Sequence, residues 1–435
     1  MEGEINQPSY TLEREISNLI KVWVSVVVSL CYCYFSAKFV PKGMLRLFSI
    51  LPIVSLLLAL PLKLQSANLG GNTAFFIAWL SNFKLLLFAF DKGPLAHPSL
   101  SLHHFIAIAC FPIRIQPNPP TKSHRNSTKN HNGNIQESLN VKTQNKEHPS
   151  PLDGGELQPS ASPVQVKILS PLDGGKSQNP PQNGENSYPK ATAKGDKSIW
   201  NYALKVALLA LFVRIYDYSD RIEPNIILVL YSLHIYMALE ITLAMVASVA
   251  RTVFGFELEP HFDEPYLSTS LQDFWGRRWN LVVSRTLRPA IYDPILRISA
   301  PVVGRKWAAL PAVMITFVVS GLMHELMFYY MGRMWPTWEI TWFFVLHGAC
   351  LVVEIGIKKV VDYRFSLPRV IATPLTIGFV MVTSFWLFFP QLLRCKADTR
   401  SLQEYALVGA FVKDLFSSAV KYKSSIVLSW NGDLL

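Results

Sequence analysis

The sequence is poor in charge. Asp, Glu, Lys and Arg make up only 16% of its 435 residues, while 50% are hydrophobic. Soluble domains carry about a quarter charged residues, so this balance excludes an ordinary soluble domain and is that of a membrane protein. Cysteine is scarce as well. The five cysteines, Cys31, Cys33, Cys110, Cys350 and Cys395, form no C-x-x-C pair and several sit inside apolar runs, so neither a disulfide framework nor a zinc site is expected. Several catalytic signatures are missing too. There is no G-x-S-x-G elbow of a serine hydrolase, no Walker loop and no dinucleotide fingerprint. The stretch "HELMF" places Phe328 where the second histidine of a zincin belongs, four residues after His324. His261, Asp263 and Glu264 in "PHFDEP" are metal-ligand types, but the flanking prolines favour a solvated turn, and no metal is expected. Acidic residues dominate before the first apolar run, where Glu2, Glu4, Glu13 and Glu15 stand against Arg14. A secretory signal wants the opposite, so that run is expected to be a retained span.

What is present is a series of long apolar runs. A membrane helix needs roughly 20 mostly apolar residues. Runs at about 17–36, 45–62, 73–90, 199–216, 225–249, 307–331, 338–357 and 370–390 fit, which predicts an all-α, polytopic bundle of eight spans. A ninth is an alternative reading of 403–420, which also suits an amphipathic surface helix because it holds Glu404, Lys413 and Asp414. The run 104–113 is too short to cross. Lys and Arg number 41 against 30 Asp and Glu, a net charge of +11 with histidine neutral. Basic residues gather in cytosolic loops of membrane proteins. Lys38, Lys42 and Arg46 follow the first span, so the acidic N-terminal tail is expected in the lumen. Alternation then puts 250–306 in the cytosol with Arg251, Arg277, Arg278, Arg285, Arg288, Arg297, Arg305 and Lys306. Arg394, Lys396 and Arg400 fit this scheme poorly.

Residues 115–197 are a different material, rich in Pro, Asn, Gln, Ser and Gly. Such a segment buries too little apolar area to offset its ordering entropy, so a disordered polar insert is expected. "SPLDGG" occurs in it twice, a local duplication too polar for a solenoid. Asn126 begins a glycosylation sequon that a cytosolic location would leave unmodified. The expected division is therefore 1–114 as N-terminal membrane helices, 115–197 as insert and 198–435 as a membrane core, the part in which catalytic residues are expected.

Two intramembrane pairs carry chemistry. His324 and Glu325 lie in the span "ALPAVMITFVVSGLMHELMFYYM", about 10 Å of helix from its lumenal end. Ionisable residues at such depth face a cavity or a partner. A neutral imidazole keeps a nitrogen free to accept a proton, as a general base for an alcohol nucleophile must; a histidine hydrogen-bonded between helices is the plainer alternative. Ser320, one turn earlier, either orients the ring or bonds only its own helix. In "FVLHGACLVVE", His347, Leu351 and Glu354 share one helical face. That face either lines the same chamber or makes a structural pair.

The polar stretch "STSLQDFWGRRWN", residues 268–280, together with "SGLMHEL", resembles the membrane-bound O-acyltransferase superfamily. "EPHFDEPYLSTSLQDFWGRRWN" and "FFVLHGACLVVE" are similar to its plant wax synthase branch, which includes long-chain-alcohol O-fatty-acyltransferases and a plant acyl-CoA–sterol acyltransferase. The resemblance covers most of 17–113 and 199–390; the long 115–197 insert departs from it. It implies transfer of a fatty acyl group from acyl-CoA to the hydroxyl of a long-chain alcohol, or alternatively of a sterol. Acyl-CoA is then a co-substrate, no cofactor is needed, and the endoplasmic-reticulum membrane is the implied location. His324 resembles the catalytic histidine and Asn280 its partner asparagine, whose amide either donates to the developing oxyanion or holds the thioester carbonyl. Trp275 and Trp279 would line the substrate chamber or anchor the loop at the interface, His347 would line the same chamber, and Arg277 and Arg278 would meet CoA phosphates or serve only as cytosolic-loop charge. Asn280 lies in an expected cytosolic loop and His324 toward the lumenal half of a span, so one site requires 268–300 to fold inward. A transporter also places charge in spans, and a non-catalytic scaffold remains a third class.

Overall fold

The structure, a computed structural model, describes residues 12–112, 199–254, 261–361 and 367–407, with 409, 410, 413, 417 and 418 beyond them. All belong to one unit, and the insert expected at 115–197, Asn126 included, lies outside the described residues. Among the described residues the secondary structure is helical, without strands.

Eleven helices suffice to describe what positions the site. They are α1 (Leu12–Phe39), α2 (Met44–Ala59), α3 (Ala67–Ala89), α4 (Leu102–Cys110), α5 (Ile199–Tyr216), α6 (Pro224–Phe254), α7 (Leu281–Leu287), α8 (Asp293–Val303), α9 (Ala309–Gly332), α10 (Glu339–Val360) and α11 (Arg369–Arg394). Seven are long and apolar enough to cross a membrane: α1, α2 with its extension to Lys63, α3, α6, α9, α10 and α11. The protein is a multi-pass membrane protein. Helix α5, 18 residues long, corresponds to the expected span at 199–216, which is not among these seven. It packs on α6 after a short link. The run 104–113 proves to be mainly the short α4, which does not cross. Residues 403–407 continue as helix, but too little of 403–420 is described to decide whether it forms a ninth span.

Apolar side chains serve two solvents here. Val22, Val26, Leu30, Ile50, Leu57, Ile77, Leu80 and Ile108 are fully or almost fully buried where α1 to α4 meet. Val28, Val370 and Val382 stay exposed on long apolar helices, as suits side chains facing lipid. Charges within or beside spans find partners. Lys205 on α5 reaches Glu240 on α6 at 2.7 Å, and Arg394 reaches Glu339 at 2.6 Å. Lys84 on α3 donates to the carbonyls of Ile108 at 2.7 Å and Phe111 at 2.6 Å, closing the C-terminal end of α4.

The arginines that fit charge-based topology poorly have structural partners. Arg400 donates to the carbonyls of Met331 and Gln65. The same end of the bundle holds the N-terminus of α3 between two carboxylates. Glu15 accepts from the amides of Gln65 at 2.8 Å and Ser66 at 2.7 Å, and Glu404 accepts from Ser66 Oγ, Ala67 N and Asn68 N at 2.6–3.0 Å. These acceptors satisfy amides that a helix start leaves without an internal partner.

Helices α9 and α10 form the tightest pair, and two glycines allow it. A Cβ on Gly348 of α10 would stand 2.8 Å from Phe317 Cβ on α9, and a Cβ on Gly321 would stand 3.0 Å from Thr341 Cα. Small residues permit such close approach between membrane helices. Glu325 fixes the register of this pair, its Oε1 accepting from Thr341 N at 3.1 Å at the start of α10. That is a helix-packing role.

Candidate active site

The site is assembled from α3, α9, α10 and the segment 261–287, which folds back into the bundle. Two backbone hydrogen bonds close that segment on itself: Asp263 N to Arg278 O at 3.0 Å and Leu281 N to His261 O at 2.9 Å. Arg278 reinforces the closure. Its Nε donates to Asp273 Oδ2 at 2.8 Å and its Nη1 to the carbonyls of Asp263 at 3.0 Å and Glu264 at 3.3 Å. Helix α10 grips the segment from one side: Glu354 Oε2 accepts from Leu271 N at 3.0 Å, and Lys358 reaches Gln272 Oε1 at 3.2 Å.

The turn ends at Asn280, which has φ of 37° and N-caps α7. Asparagine tolerates this left-handed conformation better than most residues. Its Oδ1 accepts from Val283 N at 3.4 Å. With the oxygen turned to the helix start, the Nδ2 hydrogens remain as donors.

Trp275, Trp279, Asn280, Val283, Ser284 and Leu287 line a cavity of about 480 Å³, counted with its open mouth, together with Thr316, Phe317, Ser320, His324 and Phe344. Asn280 and His324 therefore border one space, though 44 positions separate them in the chain. The His324 ring is fixed by three neighbours. Its Nδ1 lies 2.7 Å from the Ser320 carbonyl, which can only accept, so Nδ1 carries the proton. Nε2 is then the nitrogen with a lone pair. Phe344 stacks on the ring at 4.3 Å and Trp79 meets it edge-on at 4.9 Å. Ser320 thus orients the histidine through its backbone carbonyl rather than its hydroxyl.

Wide, π-helical turns surround this ring. They occur at Phe75–Ser81, Phe274–Arg278 and Ser384–Phe388 and carry Trp79, Trp275 and Phe388, the last 6.4 Å from His324. Such turns insert one residue into a helical repeat and re-aim its side chains.

Three of the expected binding residues lie outside the cavity lining. His347 is fully buried behind the wall, with both ring nitrogens engaged. Trp275 Nε1 donates to its Nδ1 at 3.1 Å, and its Nε2 faces Thr383 Oγ1 at 2.8 Å. The face shared by His347, Leu351 and Glu354 receives the infolded segment instead of substrate. Arg278 is committed to closing that segment, and Arg277 is exposed on the same turn. Sequence reading missed Trp79, Phe344 and Thr383. They stand in other apolar runs, and nothing in the spacing of residues within a span distinguishes them.

A histidine with one nitrogen fixed and the other bare, bordering the same cavity as an amide donor, has the groups of an acyl-transfer site. No group of three or more His, Cys, Asp or Glu suited to a metal occurs among the described residues. Residues 258–346 match the pattern of the Membrane bound O-acyl transferase family, spanning this segment and His324. The chain is 40% identical to acyl-CoA–sterol O-acyltransferase 1 of Arabidopsis thaliana over 94% of its length and 99% of that protein's. It is 38% identical to the long-chain-alcohol O-fatty-acyltransferase of Simmondsia chinensis, over 91% of this chain and 96% of that one. A probable long-chain-alcohol O-fatty-acyltransferase 1 of Arabidopsis thaliana is also 38% identical, over 94% of this chain and 100% of that one. The chain belongs to the membrane-bound O-acyltransferase family, and it is an acyltransferase.

Proposed function

We propose that the protein transfers a fatty acyl group from acyl-CoA to the hydroxyl of a long-chain alcohol, forming a wax ester, with His324 as general base. The observation that carries this reading is the His324 ring itself: Nδ1 is tied to the Ser320 carbonyl, and the residue borders the same cavity as Asn280. In the proposed reaction Nε2 takes the alcohol's proton as its oxygen attacks the thioester carbonyl carbon. Asn280 Nδ2 donates to the oxyanion of the tetrahedral intermediate. The intermediate collapses, the carbon–sulfur bond breaks, and the CoA thiolate takes the proton back from Nε2. Ester and CoA leave, and the base is neutral again, so the proposed cycle balances without a redox partner.

The apolar lining from Val283, Leu287, Phe317 and Phe344 suits the apolar part of a lipid substrate. The basic 250–306 region suits a water-soluble CoA head on the cytosolic side, and we place the enzyme in the endoplasmic-reticulum membrane. A sterol is the second acceptor to consider, because a relative at 40% identity is named for sterol.

Membranes from cells expressing the chain, given labelled palmitoyl-CoA with hexadecanol, a sterol or diacylglycerol, test the reading. Ester with hexadecanol, lost in His324→Ala, is expected. Ester formation that survives this substitution would refute the base, and preference for the sterol would reassign the acceptor. No ester with any acceptor would return the transporter and scaffold classes.

A further inference from the structure

His347 lies outside the cavity, yet its ring is the middle of a hydrogen-bond chain that ends in the cavity wall. Each link has a defined direction. The Thr383 hydroxyl donates to the Phe379 carbonyl at 2.7 Å, leaving Oγ1 as an acceptor for His347 Nε2–H at 2.8 Å. Nδ1 is then bare and accepts the indole N–H of Trp275 at 3.1 Å. An indole N–H can only donate, so the opposite tautomer would leave two hydrogens facing each other. Phe343 at 4.3 Å and Phe379 at 5.1 Å pack the imidazole, which has no exposed surface.

What this chain holds is a wall. Trp275 sits on the π-helical turn, next to Gly276, whose surroundings are open. Its ring meets Phe317 at 5.6 Å and Phe344 at 5.8 Å, both of which also line the cavity. Phe344 in turn stacks on His324. Loss of the indole bond would free the ring, while Glu354 and Lys358 still hold the rest of the turn.

We propose that His347 is a positioning residue that locks the Trp275 indole as a wall of the chamber, and thereby sets how bulky an acceptor fits beside His324. This rests on the acyltransfer reading above and adds a determinant of acceptor choice. His347 touches no substrate in this scheme; its hydrogen bond acts on the cavity through Trp275.

The experiment is a double-mutant cycle in the full-length protein, using His347→Leu, Trp275→Phe and the pair, with His347→Asn as the conservative variant whose amide oxygen can replace Nδ1. Acceptors of increasing girth, from decanol and hexadecanol to a sterol, are assayed with palmitoyl-CoA. His347→Leu is expected to shift the ratio of kcat/KM between bulky and slender acceptors by roughly tenfold, the order that one pocket contact provides. The shift is expected mainly in acceptor KM. Trp275→Phe should give the same shift, the pair no more than either alone, and His347→Asn a smaller one. Additive shifts in the pair, or equal loss of kcat for every acceptor, would overturn the proposal. If the wild type esterifies no acceptor, the acyltransfer reading fails. The lock is then read from thermal unfolding in detergent, where non-additive Tm losses support it and additive losses refute it.

Discussion

Gly348 offers the sharpest perturbation of the site from a distance. A Cβ there would lie 2.8 Å from Phe317 Cβ, 3.1 Å from Phe317 Cγ and 3.4 Å from Met314 Sδ. Carbon atoms sit comfortably at about 3.5–4.0 Å, so Gly348→Ala forces α9 and α10 apart by roughly 1 Å. Part of the clash meets a side chain, which can yield, but Cβ of Phe317 moves only with its helix. Overpacking of this kind costs about 1–3 kcal/mol. The displacement falls on Phe317, which lines the cavity, and on the helix that carries Phe344, whose ring stacks on His324 at 4.3 Å. A shift near 1 Å in a positioned catalytic group can lower the rate about a hundredfold. Gly356, on the same helix, provides the control, because a Cβ there would meet nothing within 4 Å. At that position alanine removes only backbone freedom and should stabilise by about 0.5–1 kcal/mol. Thermal unfolding in detergent and acyl transfer in membranes are measured for both variants. Equal behaviour of Gly348→Ala and Gly356→Ala would refute the argument from close helix approach.

Three further outcomes are expected. Burial, opposed by the charge of Glu240, pushes the His261 pKa down to about 4 from an ordinary 6.5; as pH falls below 6.5 the unfolded chain binds a proton the folded one refuses, so stability drops by up to about 3 kcal/mol by pH 4. His261→Asn should flatten that part of the pH profile of thermal unfolding, and an unchanged profile would show that His261 is not the group responsible. Lys205→Met removes the ammonium that Glu240 meets inside the bundle and should destabilise by about 3–5 kcal/mol; Lys205→Met with Glu240→Leu should recover most of that in a denaturation assay, and a double variant as weak as the single would contradict it. Deletion of 120–195, a stretch too polar to contribute a core, should leave folded protein and ester formation intact, as judged by size-exclusion chromatography and the hexadecanol assay.

The spans were legible because roughly 20 apolar residues in a row leave little alternative to a membrane helix. His324 was legible for the same reason in reverse, since an imidazole at that depth needs a cause. The way 261–281 folds inward was not. It depends on the amide of Leu281 finding the carbonyl of His261 and on Arg278 reaching back to Glu264, contacts that backbone geometry makes and residue spacing does not encode. Helical periodicity correctly grouped His347 with Glu354, but periodicity says which residues share a face and not what that face meets. Arg400 misled the charge count because it caps helix α9 through the Met331 carbonyl instead of facing a solvated loop. Trp79 became visible only when α3 was seen beside α9, 245 positions away from it at His324.

The two carboxylates at the start of α3 have a consequence for how the protein is made. Glu404 is 338 positions downstream of Ser66, whose hydroxyl it receives. A ribosome adding about 5–20 residues per second needs roughly 17–70 s to cover that distance. During that interval α3, which carries Trp79 to the edge of His324, has Glu15 at its start but lacks its second acceptor. The start of α3 therefore receives one of its two carboxylate acceptors from a segment synthesised long after the helix itself. A chain released before Glu404 would hold every residue of the proposed chemistry and lack this acceptor at the start of α3.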